Sequence, residues 1–223
     1  AEIIGQAAQR GIKIVVIDSD VNSSMVSCRI GTNNLQAGVK AAEAALAAGE
    51  DELYIGIVNY DVNSANGQQR ELGFRQTVEQ DPRVKNITTI NVLSTTEDAR
   101  AGAKEMLLSD SRINVVVTFN EWTSLGVGWA IRDLNRADRI QVVAFDSNVV
   151  SVGMLETGEV DALIVQNPYA MGYLGVESAY QLLAGQGGAL DETVDTSTRV
   201  VDRDNLFTLD SQKALFSFEE HLD

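Results

Sequence analysis

Apolar, β-branched runs along this chain stop abruptly at polar or amphipathic side chains: Asp18, Asn59 with Tyr60, Asn120, Asp146 and Gln166. Carboxylates accept hydrogen bonds from hydroxyls, and amides both donate and accept, so such a set can hold neutral hydroxyl groups. Strand ends lead into loops and loops are polar, so any one position says little. Jointly they predict a single polar rim. Paired carboxylates also serve glycoside hydrolysis, with Asp18, Asp146 and Glu121 as candidates. Amides and carboxylates together fit a binding role better than that catalytic one.

Other catalytic chemistry has little to work with. Acid–base and nucleophilic mechanisms usually recruit histidine, cysteine or a metal. The one histidine, His221, stands two residues from the end and is a poor catalyst there. The one cysteine, Cys28, lies in the strand-like Val26-Ser-Cys-Arg-Ile30, where packing is its expected role, and alone it builds neither a disulfide nor a metal site. No Walker loop and no Gly-x-Gly-x-x-Gly follows a strand, so the usual nucleotide cradles are absent. Asp61-Val-Asn-Ser-Ala-Asn66 has a faint likeness to a calcium loop but lacks its glycine and terminal glutamate, and reads as a polar turn. The expectation is a binding protein with no catalytic residue, no cofactor and no metal.

Bulk properties narrow the class further. With 223 residues, 44% hydrophobic and 22% charged, the chain can build one large or two modest cores. A net charge of −15 without a run of lysine or arginine argues against direct binding to a phosphate backbone. The longest apolar stretches are strand-sized, well short of the roughly 20 residues a membrane helix needs. The chain opens on Ala1 and runs straight into a helical pattern, so an upstream segment is expected to have been removed.

The elements that must position the rim are read from periodicity. Strands are predicted at 13–18, 53–58, 87–93, 114–118, 140–145 and 162–165, and helices at 1–10, 35–48, 65–79, 97–109, 122–135, 149–157 and 168–184. Pro168 suits a first helical turn, and Gly11, Gly49 and Gly185 stand where helix-ending glycines do. Strict strand–helix alternation predicts a doubly wound α/β architecture of parallel sheets, in which ligands bind beyond the carboxyl ends of the strands.

Seven segments in order resemble the type I periplasmic-binding-protein superfamily, specifically the ribose- and galactose-type sugar-binding proteins of ABC transporters. They are Gly11-Ile-Lys-Ile-Val-Val-Ile-Asp18, Ile30-Gly-Thr-Asn-Asn34 with Ala37-Gly38, Gln69-Arg-Glu-Leu-Gly-Phe74, Phe119-Asn-Glu121 with Leu125-Gly126, Val143-Ala-Phe-Asp146, Gly158-Glu-Val-Asp-Ala162 and Gln166-Asn-Pro168. The resemblance implies two α/β lobes crossed by the chain three times, one lobe at 1–31 plus 167–197 and the other at 32–166 plus 198–223. It implies a monosaccharide held between the lobes by Asp18, Arg70, Asn120, Asp146 and Gln166, with closure on the ligand. Trp122 either supplies an aromatic face to the sugar or packs in its helix. Arg70 has a plainer reading as a surface helix residue, but its place just inside the helix after the 59–66 loop aims it at the cleft.

Three departures matter. Ser19 and Asp20 follow Asp18 where ribose-type members place an arginine, Ser94-Thr-Thr96 lacks the family's aromatic, and the first half of the N-terminal lobe is absent. The implied role is an extracytoplasmic, monomeric receptor, periplasmic or lipid-anchored at the cell surface, that hands a sugar to an ABC transporter permease. Two relatives of the same fold compete with it: the effector domain of a LacI-type transcription regulator and a sugar or quorum-signal sensor domain. The regulators usually show a Gly-His pair where this chain has Gly49-Glu-Asp-Glu52.

Overall fold

The computed structural model describes residues 2–216, so His221 lies outside the described residues. In chain order the elements are α1 (Glu2–Gln9), β1 (Val15–Ile17), β2 (Cys28–Thr32), α2 (Asn34–Leu46), β3 (Leu53–Tyr60), α3 (Ala65–Val78), β4 (Val84–Val92), α4 (Thr96–Ser109), β5 (Val115–Thr118), α5 (Glu121–Leu134), β6 (Gln141–Phe145), α6 (Val149–Thr157), β7 (Ala162–Val165), α7 (Pro168–Leu183), a 3-10 turn at Gly187–Ala189, β8 (Thr193–Thr196), β9 (Arg199–Asp202) and α8 (Leu209–Leu215). They form two compact units. One comprises the chain up to Asn33 together with Gln166–Thr198, the other Asn34–Val165 with the chain from Arg199 onward.

The larger unit is built on a sheet of order β4-β3-β5-β6-β7-β9, parallel except for the antiparallel β7–β9 pair. Side chains alternate between its two faces with the period of a strand. Ile55, Ile57, Val115, Val117, Val143 and Phe145 face a core shared with α2 and α3. Val58, Val116, Val142, Ala144 and Leu163 face a second core under α4, α5 and α6. Burial on both faces is why these strands read as unbroken apolar runs in the sequence.

The smaller unit holds the three-stranded parallel sheet β1-β2-β8. Its buried cluster is Cys28, Ile30 and Met171, with Val15, Leu174 and Val194 packed against it. Cys28 is thus a core residue of its strand, as expected.

Four features depart from the sequence reading. The short strands β8 and β9 and the helix α8 had no periodic signal strong enough to mark them. The antiparallel β9 closes an otherwise parallel sheet. Strand β4 begins at Val84, earlier than its apolar pattern, because the exposed Lys85 and Asn86 lie on it. Finally, Gly49 does not take a left-handed backbone, whereas Gly11 (φ 79°) and Gly185 (φ 77°) do. The end of α2 is closed instead by Arg83, whose guanidinium donates to the Leu46 carbonyl at 2.9 Å and the Ala48 carbonyl at 3.0 Å.

Candidate functional site

Strand order in the larger unit runs outward from β3, with β4 on one side and β5 on the other. Such a reversal, beyond the carboxyl ends of β3 and β5, is the place where doubly wound sheets bind ligands. Arg70, on the second turn of α3, is 2% exposed. That burial rules out the surface-helix reading. Its Nε donates to Asn34 Oδ1 at 2.8 Å and its Nη1 to the Phe119 carbonyl at 2.7 Å. The guanidinium carbon stands 4.8 Å from the centre of the Phe145 ring, which meets Phe119, itself edge-on to Phe74. A cation over an aromatic face and two oriented acceptors hold the fork in one plane.

Asn120 lies two residues beyond β5, as the N-cap of α5. Its Oδ1 caps the helix by accepting from the Thr123 N–H at 3.0 Å, and its Nδ2 donates to Ser94 Oγ at 2.7 Å. Trp122, in the first turn of the same helix, is 49% exposed. Asp146 follows β6, and its Oδ2 accepts from the Glu121 N–H at 3.0 Å. Glu121 in turn accepts from Asn148 Nδ2 at 2.6 Å, the N-cap of α6. Buried Ser124 ties this corner down by hydrogen bonding to Thr118 Oγ1 at 2.7 Å and donating to the Phe145 carbonyl at 2.8 Å. Arg70, Asn120, Trp122 and Asp146 therefore belong to one corner of one unit.

Asp18 and Gln166 belong to the other unit. Asp18 is exposed just beyond β1, and its N–H donates to the Ile30 carbonyl at 2.9 Å. Gln166 accepts from Thr32 Oγ1 at 2.7 Å, at the end of β2. The two aspartates are built alike: Asp146 N–H donates to the Ile164 carbonyl of its neighbouring strand at 3.0 Å, and the residues have φ of 64° and 66°. A left-handed backbone is costly for a residue with a Cβ, and such strain concentrates at functional positions.

Asn59 does not join the rim. It is fully buried and donates to Glu71 Oε2 at 2.6 Å and the Gly67 carbonyl at 3.3 Å, so its amide anchors α3 rather than facing a ligand. Tyr60 is half-buried against the core. Residues 61–64 form a polar turn that runs into α3 at Ala65, in which Asp61 Oδ1 accepts from the Asn63 N–H and Ser64 caps the helix. Sequence reasoning missed Asn34, Ser124 and Asn148, and only their places at or near helix starts marked them. Among the described residues no group of three or more histidine, cysteine or carboxylate side chains is arranged to hold a metal ion, and no helix is long and apolar enough to cross a membrane.

Comparison with known proteins gives a consistent picture. A family model described as "Periplasmic binding protein domain" matches residues 1–187. A D-ribose/D-allose-binding protein of Pseudomonas aeruginosa is 25% identical over 193 residues, 82% of this chain and 59% of its own length. The chain thus spans about three fifths of that curated relative. A carbohydrate transporter solute binding protein from Agrobacterium radiobacter, solved in complex with D-arabinose, matches with a TM-score of 0.88 at 26% identity, covering 95% of this chain and 73% of that one. A glucose-galactose binding protein from Geobacillus stearothermophilus matches with a TM-score of 0.85 at 25% identity, covering 92% and 72%.

Proposed function

This chain belongs to the periplasmic binding protein domain family, and from that premise we propose that it binds a monosaccharide and delivers it to the permease of an ABC transporter. The observation that carries the reading is the Arg70 corner. A buried, doubly anchored guanidinium stands with Asn120, Asp146 and the half-exposed indole of Trp122 beyond the carboxyl ends of β5 and β6. Fork, amide and carboxylate supply donors and acceptors for ring and hydroxyl oxygens, and an indole face suits the C–H side of a sugar. Asp18 and Gln166, carried by the other unit, are the sugar's remaining partners in this proposal. The protein works outside the cytoplasm as a monomer and performs no chemistry on its sugar.

The test is a thermal-shift screen against D-ribose, D-allose, D-arabinose, D-galactose, D-glucose and D-xylose, with Trp122→Ala and Asp146→Asn as controls. A ligand at 100 times its Kd stabilises the native state by about 2.7 kcal/mol, which raises the midpoint by roughly 5 to 10 °C for a chain of this size. One sugar should shift the wild type, shift the controls less, and be recovered unchanged after incubation. No shift with any of the six, or turnover of the sugar, would overturn the proposal.

A further inference from the structure

We infer that Asn34 is the positioning residue of the sugar site: it sets the plane of the Arg70 guanidinium, from a place on α2 that two glycines bring within reach. The inference rests on the sugar-binding reading only for the role of Arg70 toward ligand; the positioning itself stands on this unit alone.

Arg70 is held on two sides. Phe119 contributes a backbone carbonyl, which no substitution removes, and Asn34 contributes the side-chain oxygen that receives Nε. Asn34 is itself 8% exposed, and its Nδ2 donates to Asn66 Oδ1 at 3.3 Å. The Arg70 Nε–H itself decides which end of the amide faces it, because an amide flipped end for end would oppose N–H to N–H, and the bond to Asn66 supports the same orientation. Asn34 is the first residue of α2, immediately after the chain leaves the smaller unit at Asn33.

An asparagine side chain is short, so it reaches a guanidinium on another helix only where the two backbones nearly touch. Helices α2 and α3 do so at a reciprocal pair of glycines. A Cβ on Gly38 would lie 2.1 Å from the Arg70 carbonyl oxygen, and one on Gly73 would lie 2.1 Å from the Leu35 carbonyl oxygen. Leu35 is the neighbour of Asn34. Each glycine therefore seats itself against the residue that bears, or adjoins, the hydrogen-bonded pair. Gly38, Gly73 and Asn34 act together: the glycines fix the helix spacing, and Asn34 converts that spacing into one orientation of the arginine fork.

The experiment compares Asn34→Ala, Asn34→Asp, Arg70→Lys and the double variant Asn34→Ala with Arg70→Lys. The ligand-free readout is water exchange of the Arg70 Nε–H, followed by 15N NMR and assigned by its loss in Arg70→Lys. The ligand readout is calorimetric titration with the six sugars above. In Asn34→Ala the Nε–H should exchange at least about tenfold faster and sugar affinity should fall about tenfold, the effect of one hydrogen bond to a charged group. Asn34→Asp keeps an acceptor for Nε and should hold affinity within about threefold, whereas a merely structural asparagine would not be rescued by a charge. In the Arg70→Lys background Asn34→Ala should cost under about twofold, because the two residues act as one unit. An Nε–H still protected in Asn34→Ala, or losses that multiply in the double variant, would overturn the inference. Should Asn34→Ala fail to fold, Asn34→Ser, whose hydroxyl is too short to reach Arg70, gives the same comparison. If the wild type binds none of the sugars, the sugar-binding reading falls while the Nε–H exchange still decides the positioning.

Discussion

Asp18 and Asp146 carry the same uncommon backbone just beyond the strands they follow. Both hold left-handed backbones with φ near 65°, which costs a residue with a Cβ about 1 kcal/mol relative to glycine. Glycine would fit either position at less backbone cost, and under the proposed function the carboxylates offset that cost by binding sugar hydroxyls, Asp146 while also accepting from the Glu121 N–H. The prediction is that Asp18→Gly, at an exposed site, leaves stability unchanged or raises it by up to about 1 kcal/mol in urea unfolding while sugar affinity falls at least tenfold. Affinity that survives the substitution would remove Asp18 from the site. The placement of both aspartates, Asn120 and Gln166 just beyond strands was legible from type and position, since each follows an apolar run. Arg70 was legible only through the resemblance, because its helix carries no apolar stripe that says which way it faces. The contact of Asn34 with Arg70 was not legible at all: it depends on how closely two helices approach, and no one-dimensional pattern records that. Asn59 was misread because a strand-end amide and an amide anchoring the next helix look identical in sequence.

At the scale of elements, the helices and central strands were legible for a plain reason. Strands β3, β5, β6 and β7 are buried on both faces and must be continuous apolar runs, and helices such as α2 and α4 bury one side and show the other. Strands β8 and β9 were hidden because each is four residues long, at the edge of its sheet and partly solvated, so Thr193-Val-Asp-Thr196 reads as loop. Contacts between exposed helix faces are equally invisible to periodicity. Asp133 on α5 receives Arg100 Nη2 at 2.6 Å and Lys104 Nζ at 3.1 Å, both from α4. The Arg100 hydrogen bonds, seconded by Lys104, hold its carboxyl near a pKa of about 2. Because the folded value lies below the ordinary value of about 3.9, this pair adds stability above that value and loses it as pH falls toward 2. Asp133→Asn should therefore lower the urea midpoint slightly at pH 6, and the gap from wild type should narrow between pH 4 and pH 3. A gap that stays constant down to pH 3 would mean that the amide disturbs packing and that the ion pair contributes nothing. Exposed pairs of this kind contribute little, so the narrowing matters more than the size of the gap.

Across the whole molecule, the two units differ in how much apolar surface they bury. The larger has two cores, one on each face of a six-stranded sheet. The smaller has Cys28, Ile30 and Met171 as its buried cluster, while Ile17, Tyr173, Val176 and Tyr180 stand exposed. Stability within a chain follows local burial, and units with little of it open first. Hydrogen exchange should accordingly report faster exchange in β1, β2 and α7 than in β3, β5 and β6, and unfolding should show more than one transition. A sugar that engages Asp18 and Gln166, as proposed, must stabilise the weaker unit, since a ligand binding only the folded form lends it its free energy. Saturating sugar should therefore slow exchange in β1, β2 and α7 by about tenfold or more, and slow it less in the interior of the larger sheet, whose amides already open only globally. If the sugar protects α2, α3 and α5 alone, the ligand is held by the Arg70 corner without Asp18 and Gln166. Uniform exchange across both units without ligand would show that the smaller one takes its stability from something other than its own core.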